Sequence, residues 1–319
     1  MNVLITGGAG FIGSHLADAL LDKGHRVIAL DNLTTGRYEN ILHLLSRSDF
    51  EFVLGSILNA DLVDDLASRS DTIFHLAAAV GVQLIVEKPL ESLATNIRGS
   101  ETVFEKAHKH GTKILVTSTS EIYGKNTSDR LGEEDDRILG SPLKSRWSYS
   151  EAKAIDEILA YTYWKEKGLE AVIVRLFNTV GPRQTGHYGM VIPRFVSQAV
   201  RGEPITVYGD GTQTRCFCFV GDVVRALMDL IVEPEAYGKV FNVGGQEEIS
   251  MTELAELVVQ MAASDSKIKY MTYEEAYEEG FEDMQRRVPD ITRVHNMVGF
   301  EPTIGLEEIV RRVVEEQRA

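Results

Sequence analysis

Short apolar runs alternate with longer stretches of helical spacing through the first half of the chain. Val3-Leu4-Ile5-Thr6 predicts a buried strand, Phe11 to Asp22 a helix, and Arg26 to Leu30 a second strand. Phe52-Val53-Leu54, Thr72 to Leu76, Lys113 to Val116 and Ala171 to Leu176 predict further strands. Near-continuous apolar strands separated by helices indicate a parallel sheet covered on both faces. Its crossovers are expected to be right-handed. Beyond Asn178 the pattern changes: Gly and Pro become frequent, and Ser250 to Ala263 predicts an amphipathic helix opened by a Ser250/Glu253 capping box. We therefore expect an α/β fold, with a doubly wound parallel sheet over residues 1–177 and a smaller α/β lobe over 178–319. Part of 216–243 is expected to return to the first lobe.

Composition narrows the functional classes. The 319 residues are 44% hydrophobic and 25% charged, ordinary globular values that exclude a coiled coil, a collagen-like repeat or a disordered chain. The net charge of −15, without any Lys/Arg block, argues against nucleic-acid and membrane partners. No apolar run approaches the ~20 residues of a membrane span, and the N-terminus lacks the features of a signal peptide. Cys216 and Cys218, the two cysteines, imply buried thiols rather than a disulfide framework or a zinc site, so no metal is expected. A cytoplasmic protein fits these features.

The first candidate chemistry lies between the first strand and the first helix. Gly7, Gly10 and Gly13 repeat every third residue there. Gly7 permits a tight turn, Gly10 lets a pyrophosphate approach the backbone, and Gly13 lets helix and strand pack closely. The helix N-terminus then offers amides to phosphate. Asp31 ends the second strand, where a carboxylate accepts from a ribose 2′-hydroxyl and repels a 2′-phosphate. NAD is expected over NADP, with nearby Arg37 softening that preference.

The second is Tyr149 with Lys153, four residues apart and therefore on one helical face over Ser148 to Tyr161. An ammonium and a positive nicotinamide ring both favour the phenolate. A shift of ~3 units from the usual value would make Tyr149 a general base near neutral pH.

The runs TGGAGFIGSHL, HLAA, TSTSEIYG, YSEAK, RLFNTVGPRQ, VYGDGTQTRCF and FNVGG carry a resemblance to the extended short-chain dehydrogenase/reductase family, in particular to its nucleotide-sugar epimerases, dehydratases and decarboxylases. The resemblance implies a Rossmann-type NAD-binding lobe over 1–177 and a nucleotide-sugar-binding lobe over 178–319. It implies Thr119 as the hydroxyl partner of Tyr149. Phe11, Ile12, Asn32, Ile57, Leu76, Ala77 and Ala78 would complete the dinucleotide contacts. Asn178 and Arg215 would hold a nucleotide-sugar diphosphate. Relatives usually carry Gly-Asp-Ile after the third strand; Gly55-Ser56-Ile57 departs from this and removes the usual adenine contact.

The shared chemistry oxidises the sugar at C4. Thr119-Ser120-Glu121 resembles UDP-glucuronate decarboxylases, whereas sugar 4,6-dehydratases carry an Asp where Ser120 stands. The stretches around Lys144 to Tyr149 and Gly280 to Asp290 resemble the lipid A-modifying UDP-glucuronate decarboxylase and the apiose/xylose synthases. In those relatives an arginine matching Arg287 acts at the sugar carboxylate. Once C4 is a ketone, the C6 carboxylate belongs to a β-keto acid and leaves as CO2 if nearby donors and cations stabilise the enolate. The expected catalytic residues are Thr119, Glu121, Tyr149, Lys153 and Arg287. Ser120, Arg146, Asn178, Arg183 and Arg215 are the expected substrate contacts. A UDP-sugar 4-epimerase shares the first step and is the alternative; a non-catalytic NAD sensor would not need Thr119, Tyr149 and Lys153. The family also implies a homodimer through helices near Asn96–His110 and Tyr149–Trp164. The site is expected to be a basic pocket within an acidic protein.

Overall fold

The computed structural model describes residues 1–79, 89–144, 147–186, 190–272, 275 and 284–318. Its centre is a seven-stranded sheet. Six of its strands come from residues 1–177: β1 (Asn2–Thr6), β2 (Arg26–Asp31), β3 (Phe50–Leu54), β4 (Thr72–His75), β5 (Lys113–Thr119) and β6 (Ala171–Leu176). The short strands β7 (Thr179–Val180), β8 (Ile205–Tyr208), β9 (Thr214–Cys216) and β10 (Cys218–Phe219) follow, and then β11 (Val240–Val243) adds to the sheet beside β6. The order is β3-β2-β1-β4-β5-β6-β11, with every neighbouring pair parallel.

Alternation along the strands explains why both faces are covered. Val3, Ile5, Val27, Ala29 and Leu115 point into one core, with Leu16, Leu20, Val223 and Leu227 from the helices Phe11–Asp22 and Val220–Ile231. Leu4, Ile28, Leu30, Ile114 and Val116 point into the other, against Val63, Phe104 and Ala160 from the helices Ala60–Ser68, Ser100–His110 and Ser148–Lys167. Successive side chains of a strand face opposite ways, so an unbroken apolar run needs a layer on each side. The chain leaves β1 toward β2 in one direction and later returns to β4 on the other side of β1. The carboxyl ends of β1 and β4 thus form the switch point at which such sheets bind ligands.

The second lobe has its own core, made by Ile192, Val196, Ile205, Leu254, Val258, Ile309 and Val313. It joins the helices Val191–Val200, Met251–Met261 and Leu306–Arg318 to β8, which pairs with β13 (Ile268–Met271). The capping box is formed: Ser250 Oγ accepts from Glu253 N at 3.2 Å, and Glu253 Oε2 accepts from Ser250 N at 3.0 Å. β9 pairs antiparallel with β12 (Glu248–Ser250). The two thiols lie on separate strands, β9 and β10, both buried and unbridged. Two boundaries differ from the expectation by three residues or more. β5 continues to Thr119, and the helix begun at Ser148 runs beyond Tyr161 to Lys167, where left-handed Gly168 ends it. The polar run Lys165-Glu166-Lys167 hides the end of this helix from a periodicity reading. Among the described residues, no helix is long and apolar enough to cross a membrane.

Candidate active site

One cavity of about 380 Å³ opens at the switch point. Its first wall is the glycine loop. Gly7 has φ of +76°, and a Cβ there would lie 2.9 Å from the Ala77 nitrogen. A Cβ on Gly13 would lie 2.1 Å from the Gly7 carbonyl oxygen, so helix and loop touch only because both residues lack side chains. Gly10 is the N-cap and gives the helix no side-chain cap, so first-turn amides are left for a ligand. Gly7, Gly10, Phe11, Ile12 and Gly13 all border the cavity.

Asp31, Asn32, Ile57, Leu76, Ala77 and Ala78 border it as well. The Asp31 carboxylate accepts from Ala9 N at 3.0 Å and from Leu33 N at 2.8 Å. Burial pushes its pKa up, and these backbone N–H groups oppose the rise. Asp31 therefore also holds the glycine loop in place. Ser56 reaches the cavity wall, with its hydroxyl accepting from Leu58 N at 3.2 Å. A small bare-backbone cradle, a helix N-terminus and a carboxylate 18 positions past Gly13 fit a dinucleotide.

The opposite wall carries the reactive groups. Thr119, Ser120, Glu121, Tyr149, Lys153 and Arg287 border the same cavity. The turn Ser120–Tyr123 begins where β5 ends; Thr119 Oγ1 caps it by accepting from Glu121 N at 3.2 Å. Arg287 is only 6% exposed; its Nη1 donates to Ser120 Oγ at 3.1 Å and lies 3.9 Å from Glu121 Oε1. Ser150 Oγ donates to the Glu121 carbonyl at 3.0 Å, tying this turn to the Tyr149 helix.

In the chain alone, the surroundings of Tyr149 oppose the expected ionisation. Burial pushes its phenol up, and Glu121 and Asp156 add to the rise. The Lys153 ammonium, expected to draw the phenol proton off, donates to Asp156 Oδ2 at 3.0 Å. Asp156 is wholly buried, and burial pushes its own pKa up against the pull of Lys153. Sequence reasoning missed this counter-ion, although a carboxylate three positions after Lys153 on the same helix was its signal.

The expected substrate contacts divide. Asn178 and Arg183 border the cavity. Asn178 Nδ2 donates to the Cys216 carbonyl at 2.8 Å. Arg183 is held by Asp18 at 2.8 Å and by a backbone bond to Glu316, joining the two lobes. Arg215 is not part of the cavity wall: its Nη1 donates to the Thr214 carbonyl at 2.7 Å, beside Gln285. Arg146 and the Gly280–Asp283 stretch lie outside the described residues. Gln184, Thr185, Met190 and Glu91 also line the cavity; Gln184 closes the RLFNTVGPRQ run, Glu91 lies on the helix Pro89–Ala94, and Thr185 and Met190 come from a loop whose spacing carries no motif. Arg37, Lys153, Arg183 and Arg287 face Asp31, Glu91 and Glu121 across one space, so the basic surplus of the described wall is slight. Among the described residues no group of three or more His, Cys, Asp or Glu is placed to hold a metal.

A glycine-loop cradle at the switch point of a parallel sheet, with a Tyr/Lys pair facing it, defines a dinucleotide-dependent enzyme of the Rossmann type. The chain belongs to the NAD dependent epimerase/dehydratase family, whose sequence profile matches residues 3–244. It is 40% identical over 313 residues to a UDP-N-acetyl-alpha-D-glucosaminuronate decarboxylase from Bacillus cytotoxicus, covering 98% of this chain and 96% of that protein. It is 36% identical over 315 residues to the UDP-glucuronic acid decarboxylase 1 of Danio rerio, covering 98% of this chain and 72% of the relative. The fold matches the crystal structure of UDP-glucuronic acid 4-epimerase from Bacillus cereus in complex with UDP-glucuronic acid and NAD. The TM-score is 0.89 at 28% identity, covering 100% of this chain and 99% of that one. The cofactor of the family is NAD.

Proposed function

We propose that the protein decarboxylates a UDP-linked uronic acid, UDP-glucuronate first among them, through a 4-keto sugar. The observation that carries this reading is the Arg287–Ser120–Glu121 cluster, which sets a buried guanidinium in the wall of the cavity that Tyr149 also borders. A simple 4-epimerase needs no cation at C6. Similarity to decarboxylases of UDP-uronates supports the same choice.

When bound, NAD would supply reversible acceptance of a hydride from the sugar C4. Gly7, Gly10 and Gly13 would hold its pyrophosphate, and Asp31 its adenosine ribose. Tyr149 takes the proton of the sugar 4-hydroxyl, with Thr119 as its hydroxyl neighbour. The new ketone turns the C6 carboxylate into that of a β-keto acid. Arg287 stabilises the enolate left when CO2 departs and relays to its C5 a proton taken up from solvent, and Glu121 orients that guanidinium. Asn178 and Arg183 are proposed contacts of the diphosphate, and Arg146 of the uronate.

Incubation with UDP-glucuronate, following CO2 and the sugar product, tests the reading. CO2 and a UDP-pentose support it; UDP-galacturonate without CO2 would replace it with the epimerase. The outer face of the Ser148–Lys167 helix exposes Ile155, Ile158, Tyr161 and Trp164, spaced three residues apart. Such a stripe supports a two-fold homodimer through this helix. Two buried, unbridged thiols fit a reducing, cytoplasmic setting.

A further inference from the structure

A chain of buried polar groups runs behind the cavity from the glycine loop to Lys153. Ala77 N donates to Thr6 Oγ1 at 3.2 Å. Thr6 Oγ1 lies 2.7 Å from His75 Nδ1, and His75 Nε2 lies 2.9 Å from Ser100 Oγ. The Ser100 hydroxyl is near enough to the Asp156 carboxylate to favour its charged form, without a hydrogen bond of ordinary geometry between them. Asp156 Oδ2 accepts from Lys153 Nζ at 3.0 Å, while Oδ1 makes no well-formed hydrogen bond. Thr6, His75, Ser100 and Asp156 are fully buried, and Lys153 is 2% exposed.

The two ends fix the polarity of this chain. A backbone N–H only donates, and an ionised carboxylate only accepts. With Ser100 Oγ–H turned to Asp156, Ser100 accepts from His75 Nε2–H, and His75 Nδ1 accepts from Thr6 Oγ1–H. Burial, with Lys153 nearby, lowers the His75 pKa to about 3, so the ring is neutral and carries this one tautomer. The charges acting on Tyr149 are Glu121 from the Ser120–Tyr123 turn, which Arg287 approaches, and Asp156 from its own helix, which Lys153 pairs. Those facing Asp156 are Lys153 and Glu157.

We propose that Asp156 is a positioning residue: backed by Ser100 and His75, it holds Lys153 as half of a neutral buried pair, so that Tyr149 gives up its proton only to the charge of the oxidised cofactor. The inference rests on the reading of Tyr149 as the base. The phenol then keeps the proton it takes from the sugar until the 4-oxygen needs it back.

Ultraviolet difference titration of the protein against its Tyr149→Phe variant isolates the ionisation of this one phenol, with NAD+ or NADH bound. In the wild type the phenol is expected to ionise at lower pH with NAD+ than with NADH. Asp156→Asn is isosteric and removes the opposing charge; it is expected to move the ionisation down by about one unit or more with either cofactor. Ser100→Ala removes the donor that holds Asp156 ionised and is expected to move it the same way by less. It carries the test if Asp156→Asn does not fold. An unmoved phenol in the folded variants overturns the role of Asp156. Wild-type turnover by Tyr149→Phe is a different failure, because it removes the base itself.

Discussion

Replacing Arg287 by Ala separates chemistry from folding. The guanidinium is 6% exposed, donates to Ser120 Oγ at 3.1 Å and stands 3.9 Å from Glu121 Oε1. At that distance the gross attraction is about 4 kcal/mol for an effective dielectric constant of about 20. Desolvation of both groups offsets much of it, and a charged hydrogen bond is worth about 1.5–3 kcal/mol net. The variant should therefore lose about 1–3 kcal/mol of stability, seen as a fall of several degrees in thermal unfolding. Loss of a cation aimed at developing negative charge costs about 100- to 1,000-fold in kcat. Glu121, no longer offset, should also push the Tyr149 phenol further up and move the rising limb of the rate profile to higher pH, because Glu121 already raises that group. The assay is CO2 release from UDP-glucuronate beside a melting curve on the same preparation. Wild-type turnover in the folded variant would refute the uronate reading.

The remaining expectations concern the cofactor, the buried imidazole and assembly. Gly13→Ala puts a Cβ 2.1 Å from the Gly7 carbonyl oxygen, and should cost about 1–3 kcal/mol of stability and weaken NAD binding in a fluorescence titration. Asp31→Asn should lower discrimination against NADP, checked by the ratio of the two dissociation constants. His75 ionises near 6.5 when unfolded and at about 3 when folded, so the unfolded chain binds the extra proton between those values. Stability should thus fall as pH drops through that window, by about 1.4 kcal/mol per unit at most, and His75→Gln should flatten the slope in denaturant titrations. Ile158→Asp should shift sedimentation from dimer to monomer, since Ile158 is 62% exposed in the single chain.

Much of the sheet was legible because its strands are apolar on both faces, as Leu4 and Ile5 pointing into opposite cores illustrate. The glycine loop was legible because its spacing has a steric cause at Gly7 and Gly13. The Tyr149–Lys153 helix was legible as one face, but its electrostatics were not. Lys153 has Tyr149 four residues before it and Asp156 three after it, and the spacing alone does not say that the ammonium donates to the carboxylate. Arg183 and Arg215 looked alike in sequence, yet β9 turns Arg215 toward the Thr214 and Gln285 carbonyls while Asp18 holds Arg183 at the cavity. Loop contacts such as Met190 and Gln184 depend on how the lobes meet, which no local pattern records.

The central claim is that this cavity removes C6 from a UDP-uronate without net consumption of NAD. The most direct measurement supplies UDP-glucuronate labelled with carbon-13 at C6 and follows labelled CO2 and the sugar nucleotide together by NMR. The account predicts one labelled CO2 for each UDP-pentose formed, over many turnovers without added cofactor. Label retained in a 4-epimeric UDP-uronate would contradict it.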